Sequence, residues 1–309
     1  MSVTGPNAGP PQAGPDPLGG SPGAPLGGSL EAPLGGSLEA PLGGSPEAPR
    51  GRGTLTATVL LEVAGHTLML LPEKAVFLPE SDTLLIADAH LGKATSFRQL
   101  GVPVPAGTTG ETLAVLTRLI RRLDVKRVVF LGDLLHSVRS MAPDTLAAVL
   151  RWRELHGSVE LTLVRGNHDD HAGDPPAVLD IQAFDGPVML RGLAFAHHPR
   201  PMAGAFVLAG HLHPCVSVGG RAHDWHRLPC FWFSQASAGP PHAGLIPPGG
   251  AGEATPRPWG QRGGVGVLPA FGAFTGMQAV RVRAGERVFA IGADRVFELQ
   301  PQPRRVRMA

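Results

Sequence analysis

Between Thr83 and Gly210 short apolar runs recur, each stopped by a small residue and then a polar cluster. TLLIA (83–87) ends at Asp88, RVVFL (127–131) at Gly132-Asp133, and VELTLV (159–164) at Arg165-Gly166-Asn167-His168-Asp169. LAFAH (193–197) and FVLAG (206–210) follow, the latter ending at His211. Apolar runs of this length predict buried strands. Upstream, TLTATVLLEV and TLMLL flank Gly65-His66 and predict a strand pair joined by a turn. A helix is predicted from Thr108, which forms a capping box with Glu111, and Leu113, Leu116, Ile120 and Leu123 then share one face. A second helix is predicted from about Pro143 to His156. VGVLP (265–269), QAVRV (278–282), RVFAI (287–291) and RVFEL (295–299) read as further strands. The pattern predicts an α/β fold in which several strand ends bring distant residues into one site, because open α/β sheets bind ligands beyond the carboxyl ends of their strands.

Two stretches break the pattern. In the first, residues 1–53, an eight-residue unit repeats without a gap as DPLGGSPG, APLGGSLE, APLGGSLE and APLGGSPE. Each unit offers only one or two leucines, too little apolar surface to offset the entropy of ordering the chain, so a disordered tail is expected there. The second, from about Trp232 to Gly264 and assigned as an insertion over about 234–264, reads as a long Gly/Pro-rich surface loop. The expected organisation is therefore a tail over 1–53 and one domain over 54–309.

Composition adds little beyond exclusions. The 309 residues are 43% hydrophobic, enough for a sizeable core. They contain no apolar run long enough to span a bilayer and no basic, apolar secretory start. Cys215 and Cys230 have neither a disulfide framework nor zinc spacing and are expected to be reduced thiols, which favours the cytoplasm. The net charge is +2; the tail carries Asp16, Glu31, Glu39 and Glu47 against Arg50 and Arg52, leaving +4 on the rest. A weakly basic body is compatible with a polyanionic substrate and does not demand one.

The polar clusters carry the chemistry. Asp88-Ala-His90, Gly132-Asp133, Gly166-Asn167-His168-Asp169, His197 and Gly210-His211-Leu212-His213 supply the carboxylate, amide and imidazole donors that two adjacent divalent metals need. Such a pair clamps the attacking and leaving oxygens of a displacement at phosphorus. At strand ends the i, i+2 spacing of Asp88/His90 and His211/His213 lets both side chains converge. His197 is preferred to His198 because strand LAFAH ends on it.

In this order, DxH, GD, GNHD, H and GHxH resemble the calcineurin-like metallophosphoesterase superfamily. The resemblance implies a four-layer α/β/β/α sandwich with mixed sheets and metals at the strand ends. It assigns Asp88, His90 and His213 to one metal, Asn167, His197 and His211 to the other, and Asp133 to the bridge. His168 would be the general acid or transition-state stabiliser, oriented by Asp169. A narrower likeness covers about residues 71–280. The segments LPEKAVFLPESDTLLIADAHLGKATSFRQLGVPVPAGTTGETLAVL, GDLLH, GNHD, GHLHP, RLPCFW and LPAFGAFTG are similar to the bacterial ligase-associated DNA damage response phosphoesterases. That likeness implies a nuclease acting on DNA, with an ATP-dependent DNA ligase and an exonuclease as functional associates. The chain departs from the family at His198, where Glu is more usual, and in the Gly/Pro-rich stretch 236–263.

Mixed Asp/Asn/His donors suit Mn²⁺, the expected metal, as well as Fe or Zn. His136, Arg165 and Lys93 are candidate substrate contacts. Phe271 and Phe274 are assigned to core packing, since 5% aromatic content with no tyrosine argues against extensive base stacking. The metal motifs leave three readings open: a DNA phosphodiesterase, a phosphatase or small-molecule phosphodiesterase, and an inactive scaffold.

Overall fold

The computed structural model describes residues 57–104, 107–219, 225–235 and 263–300, all within the unit Gly51–Ala309. The tail assigned to 1–53 and most of the insertion assigned to 234–264 lie outside the described residues.

The first sheet keeps chain order: β1 (Val59–Val63), β2 (His66–Leu71), β3 (Ala75–Leu78), β4 (Thr83–Ile86), β5 (Arg127–Phe130), β6 (Glu160–Val164) and β7 (Ile181–Phe184). Strands β1 to β4 pair antiparallel and β4 to β7 parallel. The β1–β2 hairpin turns on Ala64 and Gly65, both at positive φ (52° and 82°), which matches the strand twist in a two-residue loop. Parallel neighbours instead need crossovers. These are supplied by α1 (Lys93–Gln99), α2 (Thr108–Leu123), α3 (Pro143–Leu155) and α4 (Asn167–Ala172). Helix α2 buries Leu113, Leu116 and Ile120 as its apolar spacing predicts, adds Leu119, and leaves the expected Leu123 only partly buried. The expected capping box does not form. Thr108 is already helical, and the cap is Gly107 at φ 85°, which has no side chain to offer.

The second sheet runs β14 (Gln278–Ala279), β11 (Pro214–Gly219), β12 (Trp225–Gln235), β13 (Gly264–Val267), β10 (Phe206–Ala209), β9 (Leu193–Ala196) and β8 (Val188–Leu190). To this path β12 adds β15 (Arg287–Gly292), which carries β16 (Arg295–Leu299). Strand β12 corrects the loop expected from Trp232, because residues 225–235 pair with three strands. The apolar run LPCFWF (228–233) leads into that segment and lies in the sheet despite its internal proline.

The two sheets pack face to face on Leu61, Leu70, Leu85 and Val129 from one side and Phe206, Phe231, Phe233 and Phe289 from the other. Burial of each such side chain contributes about 1.5–3 kcal/mol. Helices α2 and α3 cover the opposite face of the first sheet through Leu116, Ile120, Val149 and Trp152. The mixed two-sheet α/β class is as expected, and among the described residues the helical cover lies on the first sheet. Among the described residues no helix follows β7. None of the described helices is long and apolar enough to cross a membrane. Both cysteines are free and buried.

Lys74, at the β2–β3 turn, sends its Nζ to the carbonyl of Gly272 (3.3 Å). Burial pulls its ammonium down to about 8 from the usual 10.5. A base depressed on folding leaves stability intact above its unfolded pKa and withdraws it as pH falls from about 10.5 to about 8. Below that the penalty is full. Replacing Lys74 with methionine is therefore expected to raise stability by on the order of 1–3 kcal/mol at pH 7, with the advantage fading above pH 10. Denaturant unfolding at both pH values checks this.

Candidate metal centre

The chemistry-bearing residues sit where β4, β5, β6, β9 and β10 end, and backbone bonds lace those ends together. The amide of Asp88 donates to Gly132 O (3.2 Å) and that of His90 to Asp133 O (2.9 Å). The amide of Gly210 donates to His197 O (3.1 Å), and that of His211 to the Asp88 carboxylate (2.9 Å). Asp88, His90, Asp133, His211 and His213 all adopt left-handed backbone, with φ of 52°, 44°, 51°, 71° and 46°. Each such residue costs about 1–2 kcal/mol. Strain of this kind persists only where the surroundings over-determine it, and it collects at functional sites. Its effect here is to turn each side chain back over its strand end.

Two carboxylates form the centre. Asp88 is fully buried and Asp133 is 2% exposed. Asp133 faces His197 Nε2 through Oδ1 (3.5 Å) and His90 Nε2 through Oδ2 (3.8 Å). Asp88 Oδ1 lies 3.3 Å from His213 Nε2 and 4.0 Å from His197 Nδ1. His197 Nε2 also meets Asn167 Oδ1 and His211 Nδ1, each at 3.1 Å. The side chains assigned to the two metals thus come together around Asp133.

This donor set fits cations. Asp88, His90 and His213 present ligand atoms within 4.8 Å of one another, and so do Asp88, Asp133 and His197. Two buried carboxylates this close repel each other unless positive charge lies between them. His90 Nδ1 is buried with no hydrogen-bond partner, and His213 Nε2 is buried facing only the Asp88 carboxylate at 3.3 Å. Burial first, then Lys93 and neighbouring imidazoles, hold His90 down to about 2, and burial likewise lowers His211. Both therefore stay neutral with a lone pair to give. For His213 burial works downward, but Asp88 outweighs it and raises the pKa.

The remaining predicted residues divide. His168 belongs to the site: its Nε2 is 4.0 Å from Asp133 Oδ2 and its amide donates to Asp133 Oδ1 (3.0 Å). Asp169 does not orient it. As the third residue of α4 it turns back, accepting from the amides of Gly166 (3.0 Å) and Leu135 (3.1 Å), and so ties two loops together. The His168 ring is instead held by the carbonyl of His136, 3.0 Å from Nδ1, and it stacks on the His136 ring at 4.9 Å. Lys93 is half-buried, and both Asp88 and Asp133 act on its charge. Arg165 points away from the centre. Its guanidinium is occupied by Asp174 (2.8 Å) and Asp185 (2.5 Å), which raise its pKa and leave it no free fork for a phosphate. His198 joins His197 and His211 in a third cluster of possible ligand atoms, with its ring 4.4 Å from that of His211. Strand register put His197 first but gave no sign that His198 stays close. Phe97, beside His136 at 5.7 Å, was not singled out in the sequence at all. Its only signal was its place four residues after Lys93.

The chain is similar to the crystal structure of Pseudomonas putida nuclease MPE. The match is 37% identical over 78% of this chain and 100% of that one, with a TM-score of 0.61. Weaker likenesses reach AQ665 from Aquifex aeolicus, a protein of unknown function, and Yfce, a phosphoesterase from E. coli. The first is 15% identical over 45% of this chain and 81% of that one, with a TM-score of 0.30. The second is 21% identical over 47% and 76%, with a TM-score of 0.26. Neither bears on the argument. No family model matches the chain, and no curated protein does.

Proposed function

The chain belongs to the metallophosphoesterase-like nuclease family, and from that premise we propose that it is a dinuclear, metal-dependent phosphodiesterase that cuts DNA. The carrying observation is the buried Asp133 carboxylate, whose two oxygens face His197 and His90 on opposite sides. Asp88, His90 and His213 would hold one divalent ion, and Asn167, His197 and His211 the other, with Asp133 shared. Mn²⁺ is the proposed ion. When bound, the pair supplies Lewis acidity that neutralises charge at phosphorus and makes water a nucleophile near neutral pH.

The chain's own groups do the rest. A backbone carbonyl only accepts, so the His136 oxygen requires the proton of His168 to sit on Nδ1. Nε2, on the carboxylate side, is then the atom that takes up a proton and delivers it to the departing alkoxide. Lys93 adds positive charge beside the carboxylates, suited to a non-bridging phosphate oxygen. Asp169 and Gly166 keep the α4 start seated against the β5 loop.

His168→Ala is expected to slow DNA cleavage by about 10²–10⁴-fold. It should slow bis-p-nitrophenyl phosphate much less, because p-nitrophenolate leaves without a proton. Steady-state rates in Mn²⁺ on both substrates check this. The reading itself is tested by offering the chain labelled single-stranded DNA and p-nitrophenyl phosphate side by side. Turnover of the monoester without DNA cleavage would replace the nuclease by a phosphatase.

A further inference from the structure

We propose that Phe97 and Phe274, together with His136, form a platform on one flank of the metal centre on which a nucleobase stacks, next to the phosphate being cut. The proposal rests on the nuclease reading and names the feature of the strand that this flank would grip.

A continuous series of rings leads out from the centre. His90 meets His168 edge to face at 5.0 Å, and His168 stacks on His136 at 4.9 Å with 28° between planes. His136 lies 5.7 Å from Phe97 at 37°, and Phe97 meets Phe274 edge to face at 5.8 Å. His136, Phe97 and Phe274 are all partly buried, each keeping some of its surface open to solvent. By contrast Phe271, three residues before Phe274, is 3% exposed and part of the core. The core assignment made for both phenylalanines therefore holds only for Phe271.

Packing does not account for the outer two rings. Helix α1 buries Ala94 and Ser96, not Phe97. Neither Phe97 nor Phe274 belongs to any of the hydrophobic clusters formed by the described residues. The same segments expose further apolar side chains: Leu100 and Val102 after Phe97, Val138 after His136, and Met277 after Phe274. Serine bonds hold the segments in place, Ser96 Oγ lying 3.0 Å from Ser137 Oγ.

Charge indicates what covers the rings. Lys93 and Phe97 are four apart on α1 and so share a face, which sets an ammonium and a ring side by side. Lys93 lines one small cleft together with His90, a proposed metal ligand, and with Phe274. The exposed Arg98 and Arg139 lie on the same two segments. A cationic group toward the phosphate and π-faces one step outward match a nucleotide, and every base offers a π-face whatever its identity. A base inside a duplex has both faces occupied by its neighbours, so the platform favours one that is unpaired or splayed out.

The test uses the full chain with Mn²⁺ and a set of labelled single strands, each carrying one abasic residue at a different distance from the point of cleavage. Removing the base at one flanking position is expected to cut kcat/KM about ten-fold or more. Phe97→Leu and Phe274→Leu keep the apolar volume but not the ring. Each should lose a comparable factor on the intact strand and little further on that abasic strand, with thermal unfolding unchanged. A chain that cuts intact and abasic strands alike, or leucine variants that lose equally on both, overturns the platform and leaves the nuclease reading standing. A chain that cuts no strand at all overturns the nuclease reading, and the platform falls with it.

Discussion

Replacing Asp133 with alanine is expected to lower phosphodiester hydrolysis by about a thousand-fold or more, through loss of the group that faces both halves of the donor set. Asparagine at the same position should fare little better. It keeps the shape and one acceptor oxygen but removes the negative charge that two cations would share. Stability separates this from unfolding. In the folded chain Asp133 and Asp88 are both buried, within ligand-sharing distance of His197. Without bound cations, their mutual repulsion destabilises the fold. Asp133→Asn relieves that repulsion and spares the shape, so the metal-free variant should melt at or above the parent. The parent, in turn, should gain about 2.7 kcal/mol when metal stands at a hundred times its dissociation constant, and the variant should lose most of that gain. Melting curves with EDTA and with Mn²⁺, alongside kcat/KM, check both halves. Normal turnover in either variant, or an unchanged metal response, would remove Asp133 from the centre.

The sequence showed where the chemistry is but not how the chain points it. Strand ends at Asp88, Asp133, Asn167, His197 and His211 were readable because apolar runs stop there, and α2 was readable because its buried face repeats at helical spacing. The left-handed backbone at Asp88, His90, Asp133, His211 and His213 was not. Asp and His tolerate that conformation but also sit elsewhere, and only the lacing of five separate strand ends forces it. Long-range partners were equally invisible. Arg165 looks like a phosphate ligand until Asp174 and Asp185, nine and twenty residues further on, are seen to hold it. Asp169 was expected to orient His168 because the family resemblance implied it, yet the α4 start sends its carboxylate backward. Thr108 has the residue type of a cap, but Gly107 takes the position. Each miss is a case of local propensity giving way to a tertiary constraint.

Gly166→Ala is expected to cost about a hundred-fold in turnover, although it adds only one methyl group to a residue that has no side chain. The backbone there is no obstacle, since φ −104° and ψ 173° suit alanine. The obstacle is what a Cβ would meet: Asp133 Oδ1, the Asp133 amide nitrogen at 2.7 Å and His197 Cε1 at 2.9 Å. None of these can easily retreat. Asp133 is pinned by its left-handed backbone and by the His168 amide (3.0 Å), and His197 by the Leu131 carbonyl (3.0 Å). The methyl group must therefore push the carboxylate and imidazole apart or lift the start of α4, which carries Asn167 and His168. Overpacking of this kind typically costs 1–3 kcal/mol of stability, so the variant should still fold. Gly110→Ala provides the contrast. It lies inside α2 with open space around the added carbon, and should leave activity intact while stabilising the chain by roughly 0.5–1 kcal/mol. Paired melting curves and hydrolysis rates for the two variants check this. If Gly166→Ala turned over like the parent, Asp133 would be mobile rather than clamped, and the shared carboxylate proposed for this site would not be fixed in place before metal binds.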